Sequence, residues 1–149
     1  MSVKQQLYNR CETLLNERLR IIQQTIADIQ NNLQSETKSS AGDKHETGRA
    51  MLQLEREKAG NQLAEIQKLT ETLHKIDVKI KHKTIALGSV VKTTDLNYFI
   101  SVSVGEIKLK NKSFYGISVA TPIGKLLISK SVGDEIRFRA KTFTIIDVL

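Results

Sequence analysis

The sequence predicts an α+β protein: an antiparallel α-helical coiled-coil hairpin followed by a small domain with an antiparallel sheet. Three observations predict it. Apolar residues recur at heptad spacing through two stretches of the first half, a short polar segment separates those stretches, and β-rich runs broken by turn residues fill the second half. The character changes after Lys83, which divides the chain into residues 1–84, a hairpin with an acidic tip near 42–46, and residues 85–149.

Leu15, Leu19, Ile22, Ile26, Ile29 and Leu33 follow one another in alternating steps of four and three, with Gln, Asn, Arg and Glu between them. That spacing is a heptad seam. Tyr8 and Cys11 extend it backwards with one irregular step, so the first helix covers residues 3–35. Leu63, Ile66, Leu69, Leu73, Ile76 and Ile80 form a second seam, reaching back through Ala59 to Leu52. Gly60 interrupts its helix propensity and marks either a bend or a close helix contact. Neither stripe is stable alone in water, so the two helices fold back on each other across the link at residues 36–43, where Gly42 suits a turn.

In the second half, five runs beginning at Gly88, Tyr98, Phe114, Asp134 and Phe143 are rich in β-branched and aromatic residues and read as strands. Gly105, Asn111 and the Gly133-Asp134 pair supply turns, and a short helix starts just after Pro122. A domain of this size is small for an independent core and is expected to lean on the hairpin.

Composition narrows the function. Aromatics make up 5% and Trp is absent, which argues against a deep aromatic pocket for a small-molecule substrate. The formal net charge of +7 favours polyanions or acidic protein surfaces as partners, and the excess is spread over both halves. Lys79, Lys81 and Lys83 with His82 form the densest basic cluster, read as a solvated helix end. Cys11 is alone, consistent with a reducing compartment. No apolar stretch approaches the roughly 18 residues of a membrane span, and the start lacks a signal-peptide apolar region, so a cytoplasmic location without membrane attachment is expected. No Gly-rich phosphate loop, nucleophile elbow or Cys pair is present, and His45, His74 and His82 lack metal-ligand spacing and are read as surface residues.

Asp43 and Glu46 stand at the reversal between the helices. One reading is local: Asp is a good N-cap, Glu three residues on completes a capping-box-like arrangement, and both charges complement the helix dipole. Another is chemical. Two carboxylates at this separation can also supply oxygen ligands to a divalent cation that keeps water in its remaining positions. The two readings are compatible.

Two segments carry a resemblance. Residues 117–138 read Ile-Ser-Val-Ala-Thr-Pro-Ile-Gly-Lys-Leu-Leu-Ile-Ser-Lys-Ser-Val-Gly-Asp-Glu-Ile-Arg-Phe, preceded by Gly-Ser-Val-Val from Gly88. Gly42-Asp43 is followed by Glu46. Together they resemble the bacterial Gre (GreA/GreB) transcript-cleavage factors in order, spacing and total length, with this chain a divergent member. The resemblance implies an FKBP-like C-terminal domain that docks at the secondary channel of RNA polymerase, with Thr121, Pro122, Ile123 and Gly124 in the docking surface. It implies that Asp43 and Glu46 help hold Mg²⁺ and its water at the polymerase active site, so that backtracked RNA is cut. On that reading the chain is no enzyme and has no intrinsic cofactor or stably bound metal. It stimulates the polymerase's own nuclease, its partner is the transcription elongation complex with its nucleic acid, and it takes no small-molecule substrate.

The chain departs from the family at Thr47-Gly48-Arg49-Ala50, where Gre cleavage factors usually carry Asn-Ala, an acid and Tyr. An acidic residue and an aromatic are lost and a cation is gained. Ala120 likewise stands where a polar residue often precedes the Ser-Pro of the family. A non-cleaving secondary-channel regulator therefore stands beside the cleavage factor as an alternative. A coiled-coil adaptor unrelated to polymerase is a third reading, and a prolyl isomerase, suggested only by the implied fold, is a fourth.

Overall fold

The computed structural model describes the backbone of residues 1–38 and 43–149 and the side chains of residues 1–35 and 46–149. The expected link at 36–43, with Gly42 in its turn, therefore lies largely outside the described residues. Element order is α1 (Val3–Lys38), α2 (Asp43–His74), β1 (Val90–Thr93), β2 (Tyr98–Ile100), β3 (Gly105–Leu109), β4 (Lys112–Ile117), α3 (Pro122–Leu127), β5 (Glu135–Phe138) and β6 (Lys141–Val148). This is an α+β protein. The chain forms two compact units, Leu15–Leu69 and Met1–Leu14 with Thr70–Leu149.

In the helical unit the heptad positions do what their spacing demands. Ile22, Ile29, Ala59 and Ile66 are buried, with Leu19, Ile26, Leu33, Leu52 and Leu63 packed against them. One groove is lined by Arg18, Ile21 and Ile22 with Gln62, Glu65, Ile66 and Leu69, and a second by Thr25 and Ile29 with Glu55, Lys58, Ala59 and Gln62. Rising numbers on α1 meet falling numbers on α2, so the helices run antiparallel. Burying each Ile or Leu of such a seam contributes about 1.5–3 kcal/mol, which offsets the ordering of two otherwise solvated helices. At Gly60 an added Cβ would meet only the Arg56 Nη1 atom, 3.1 Å away, so this glycine is not enforced by a close helix contact.

The sheet unit is built on six strands in the order β3-β4-β2-β1-β6-β5. The sheet is mixed, which corrects the antiparallel expectation: β2 pairs parallel with β4, Tyr98 opposite Tyr115 and Ile100 opposite Ile117, while all other pairs are antiparallel. The cause is the β3–β4 hairpin. After β2 the chain turns back, and β4 enters between β3 and β2, so β4 and β2 point the same way. The extra strand is β3, where Gly105 adopts φ 80 and only Ile107 is buried. Lys110, at φ 53, turns the hairpin between Leu109 and its partner Lys112.

Strand alternation sends Val91, Tyr98, Ile100, Ile145 and Phe143 into one core with Ile85, Leu127, Ile136 and Val148. Phe99 and Phe114 project to the other face and are fully buried. There Cys11 Sγ lies 4.0 Å from Ser101 Oγ, and Val3 and Gln6 share a cleft with Phe114. Leu7 is buried at the start of α1, whereas Tyr8 of the expected seam is only half-buried.

The second seam does not continue as helix to Ile80. α2 ends at His74, and the next turn tightens through Lys75 N to Thr72 O and Ile76 N to Leu73 O. Asp77 then accepts the Lys79 amide on its own side chain at 2.9 Å, a local bond that competes with helix propagation. Ile76 remains buried, but Ile80 is 52% exposed.

Candidate functional site

Asp43 is the first residue of α2, and Glu46 follows within its first turn, exposed. Residues three apart on a helix share a face. The Asp43 side chain lies outside the described residues, as does its expected capping role. Among the described residues no group of three or more His, Cys, Asp or Glu side chains is gathered as a metal site.

Thr121, Pro122, Ile123 and Gly124 form one continuous structure at the start of α3. Thr121 is the N-cap, with extended backbone at φ −72 and ψ 157, and Pro122 occupies the first turn, where its missing amide is harmless. The Thr121 hydroxyl donates to Ser118 O at 2.7 Å and accepts from Gly124 N at 3.1 Å. Ser118 is itself fixed, its amide donating to Ser103 Oγ at 3.1 Å and its hydroxyl accepting from Ala120 N at 3.1 Å.

Gly124 is required by this arrangement. A Cβ there would lie 2.2 Å from Ser118 O and 2.9 Å from Thr121 Oγ1. Ile123 packs against the sheet core, while Pro122 is exposed beside Val119 and Leu126, each 39% exposed. Lys125 is also exposed. The turn thus offers a partly apolar surface with a cation on it.

The basic cluster at 79–83 is not a helix end, because α2 stops at His74. Its centre is Lys4, only 5% exposed, whose ammonium donates to Ile80 O at 2.6 Å and lies 3.4 Å from His82 Nδ1. Burial pushes the Lys4 ammonium below its ordinary pKa, partly countered by Asp77. Burial and the neighbouring Lys4 charge lower the His82 pKa, opposed by a hydrogen bond with the Leu149 backbone. His82 is half-buried rather than a surface residue, whereas His74 is exposed. Nothing in the pattern around Lys4 signals a buried lysine.

Sequence reasoning also missed an aromatic cavity of about 390 Å³ in the sheet unit, lined by Asp95, Leu96, Tyr98, Phe138, Arg139, Ala140, Lys141 and Phe143. Its aromatics are scattered along the chain over some 45 residues, and only strand pairing assembles them.

No family model matches the chain, and no curated protein sequence matches it. Among solved structures the chain is similar to "Structure of the transcription factor Gfh1", at 20% identity over 95% of this chain and 92% of that one, with a TM-score of 0.35. A likeness at that score decides neither family nor activity. No helix among the described residues is long and apolar enough to cross a membrane.

Proposed function

We propose that this chain is a transcription elongation factor that binds RNA polymerase at its secondary channel. Thr121, Pro122, Ile123 and Gly124 belong to the docking surface of a domain spanning 85–149, and the hairpin of residues 1–84 brings Asp43 and Glu46 to the polymerase active site. The observation that carries the reading is the pairing of two unrelated signatures in one chain. Asp43 of the Gly-Asp-x-x-Glu segment opens the second helix of an antiparallel pair, and a Thr-Pro turn within a Gre-like segment exposes Pro122 while Thr121 is tied to Ser118 O.

A Mg²⁺ ion held with the help of Asp43 and Glu46 at the polymerase active site would supply a polarised water for hydrolysis. The contribution of this chain would be carboxylate oxygen: Asp43 and Glu46 would add negative charge and ligand positions for that ion. The chain provides no nucleophile of its own.

The test is transcript cleavage by the cognate polymerase in stalled, backtracked complexes, wild type beside Asp43→Asn and Glu46→Gln. Wild type shortens the RNA in a Mg²⁺-dependent manner, and either substitution reduces the rate at least tenfold. Absence of shortening by a protein that still binds polymerase would reject the cleavage step.

Thr47-Gly48-Arg49-Ala50 favours a second reading, a channel-binding regulator that does not cleave, because a guanidinium three residues from Glu46 would compete with a metal ion for its carboxylate. Altered initiation or pausing without cleavage distinguishes that reading from the first.

A further inference from the structure

We propose that the cavity between β2 and the β5–β6 hairpin is a binding site for an acidic peptide segment, which seats one large apolar side chain between Tyr98, Phe138 and Phe143. The cavity volume, about 390 Å³, is at the scale of a single bulky side chain with its flanking backbone. Tyr98 and Phe143 form its floor, ring centroids 6.5 Å apart and planes tilted by 37°, both more than nine-tenths buried. Leu96 adds a rim that is 40% exposed.

The second observation is polar. Tyr98 is 6% exposed, lines the cavity, and its hydroxyl has no hydrogen-bond partner among the described residues. A hydroxyl in the wall of an apolar cavity favours an occupant that offers it an acceptor. A peptide carbonyl entering the cavity satisfies it. Burial, then Asp95 and Tyr115, hold the Tyr98 pKa above its ordinary value, so the group stays a donor at neutral pH.

The sign of the occupant follows from the rim. Phe138 pairs with Lys141, leaving Arg139 and Ala140 as the turn, with Arg139 in the left-handed region at φ 56. The Arg139 guanidinium lies 5.0 Å from the centre of the Phe138 ring, which holds it at the cavity mouth. Lys141 stands beside it, and Asp95 is the one acid in the lining. Two cations against one carboxylate favour acidic residues beside the anchor, and Asp95 orients them toward the Arg139–Lys141 side. A single apolar anchor site between an acid and two cations suits a peptide, which can place one apolar side chain and its flanking carboxylates separately, better than a nucleic-acid strand, which brings a charge at every phosphate.

The experiment uses the full chain, ¹⁵N-labelled, titrated with four probes. They are a capped Glu-Asp-Leu-Phe-Glu peptide, its Lys-Lys-Leu-Phe-Lys counterpart, Glu-Asp-Ser-Ser-Glu without the anchor, and a single-stranded oligothymidylate. The acidic peptide with the anchor shifts the amides of Leu96, Tyr98 and 138–143, and binds at least tenfold tighter than the other three. Tyr98→Phe, which keeps the ring, weakens it about two- to tenfold. Arg139→Gln with Lys141→Gln weakens it about tenfold and removes its salt dependence. Equal binding of the basic peptide, tighter binding of the oligonucleotide at these amides, no shift at these amides with any probe, or no loss with Tyr98→Phe each overturns the proposal. Near-ultraviolet circular dichroism of the variants separates loss of the site from loss of the fold.

Discussion

Replacing Gly124 by Ala adds one methyl group where the backbone of Ser118 comes closest. The new Cβ would sit 2.2 Å from Ser118 O, which is backbone and cannot rotate away. Opening the contact to an ordinary distance moves Ser118 or α3 by about 1 Å, and overpacking of this kind costs about 1–3 kcal/mol. The same movement stretches the two bonds of the Thr121 hydroxyl, to Ser118 O and from Gly124 N. Losing that cap costs about 1 kcal/mol. Against this, Ala gains at most about 1 kcal/mol over Gly in a helix. The net is a destabilisation of about 2 kcal/mol. For a chain of this length that lowers the melting temperature by about 4–8 °C. Near-ultraviolet circular dichroism reads the right unit, because Tyr8, Tyr98 and Tyr115, the only tyrosines, and all four Phe belong to it. A Gly124→Ala protein melting at the wild-type temperature would refute the close approach and the turn built on it.

Gly60→Ala has the opposite sign: its Cβ meets only the mobile end of Arg56, so the helical unit gains about 0.5–1 kcal/mol, read by far-ultraviolet melts. Cys11, fully buried and pushed up to about 11 by burial, resists thiol-specific reagents in the folded protein and reacts at the normal rate only in denaturant. The His82 pKa is depressed in the folded state, so the unfolded chain binds the proton more readily, and stability falls as pH drops below about 6.5 toward the folded value. Lys4→Met removes one of the two lowering causes, and an NMR titration of the His82 ring then shows a higher pKa; an unchanged value contradicts the contact at 3.4 Å.

The hairpin seam was readable because its signal is local: Ile22, Ile29 and Ile66 are buried where a heptad places them. At Ile80 the apolar spacing persists but the helix does not: α2 ends at His74, and Asp77 accepts the Lys79 amide in the loop that follows. β3 carries little strand signature because it is an edge strand with Glu106 and Lys108 facing water, the composition that keeps such an edge from pairing further. The parallel β2–β4 pair was illegible for a different reason. Nothing near Tyr98 or Tyr115 encodes their partnership, which arises from where the β3–β4 hairpin inserts. At the candidate site, Thr121 and Pro122 advertised the start of a helix through their chemistry. The clash that makes Gly124 necessary depends on Ser118 O, which only the folded turn brings close. Lys4 beside His82 joins residues 78 positions apart and had no sequence signature at all.

β6 is the last strand in chain order, yet it occupies the interior of the sheet between β1 and β5. During synthesis β1 therefore emerges more than fifty residues before the neighbour that covers its second edge, and Val91 cannot meet Val148 until that neighbour has left the ribosome. At the pace of translation, about 5–20 residues per second, the interval lasts several seconds, long compared with the formation of the hairpin helices. For that time Val90 and Val91 present an apolar strand with an open edge, the kind of surface that nascent-chain chaperones hold and that pairs wrongly when crowded. The yield of folded protein should respond to translation speed through the codons of residues 94–148, a sensitivity that the finished molecule, with β1 paired on both sides, no longer displays.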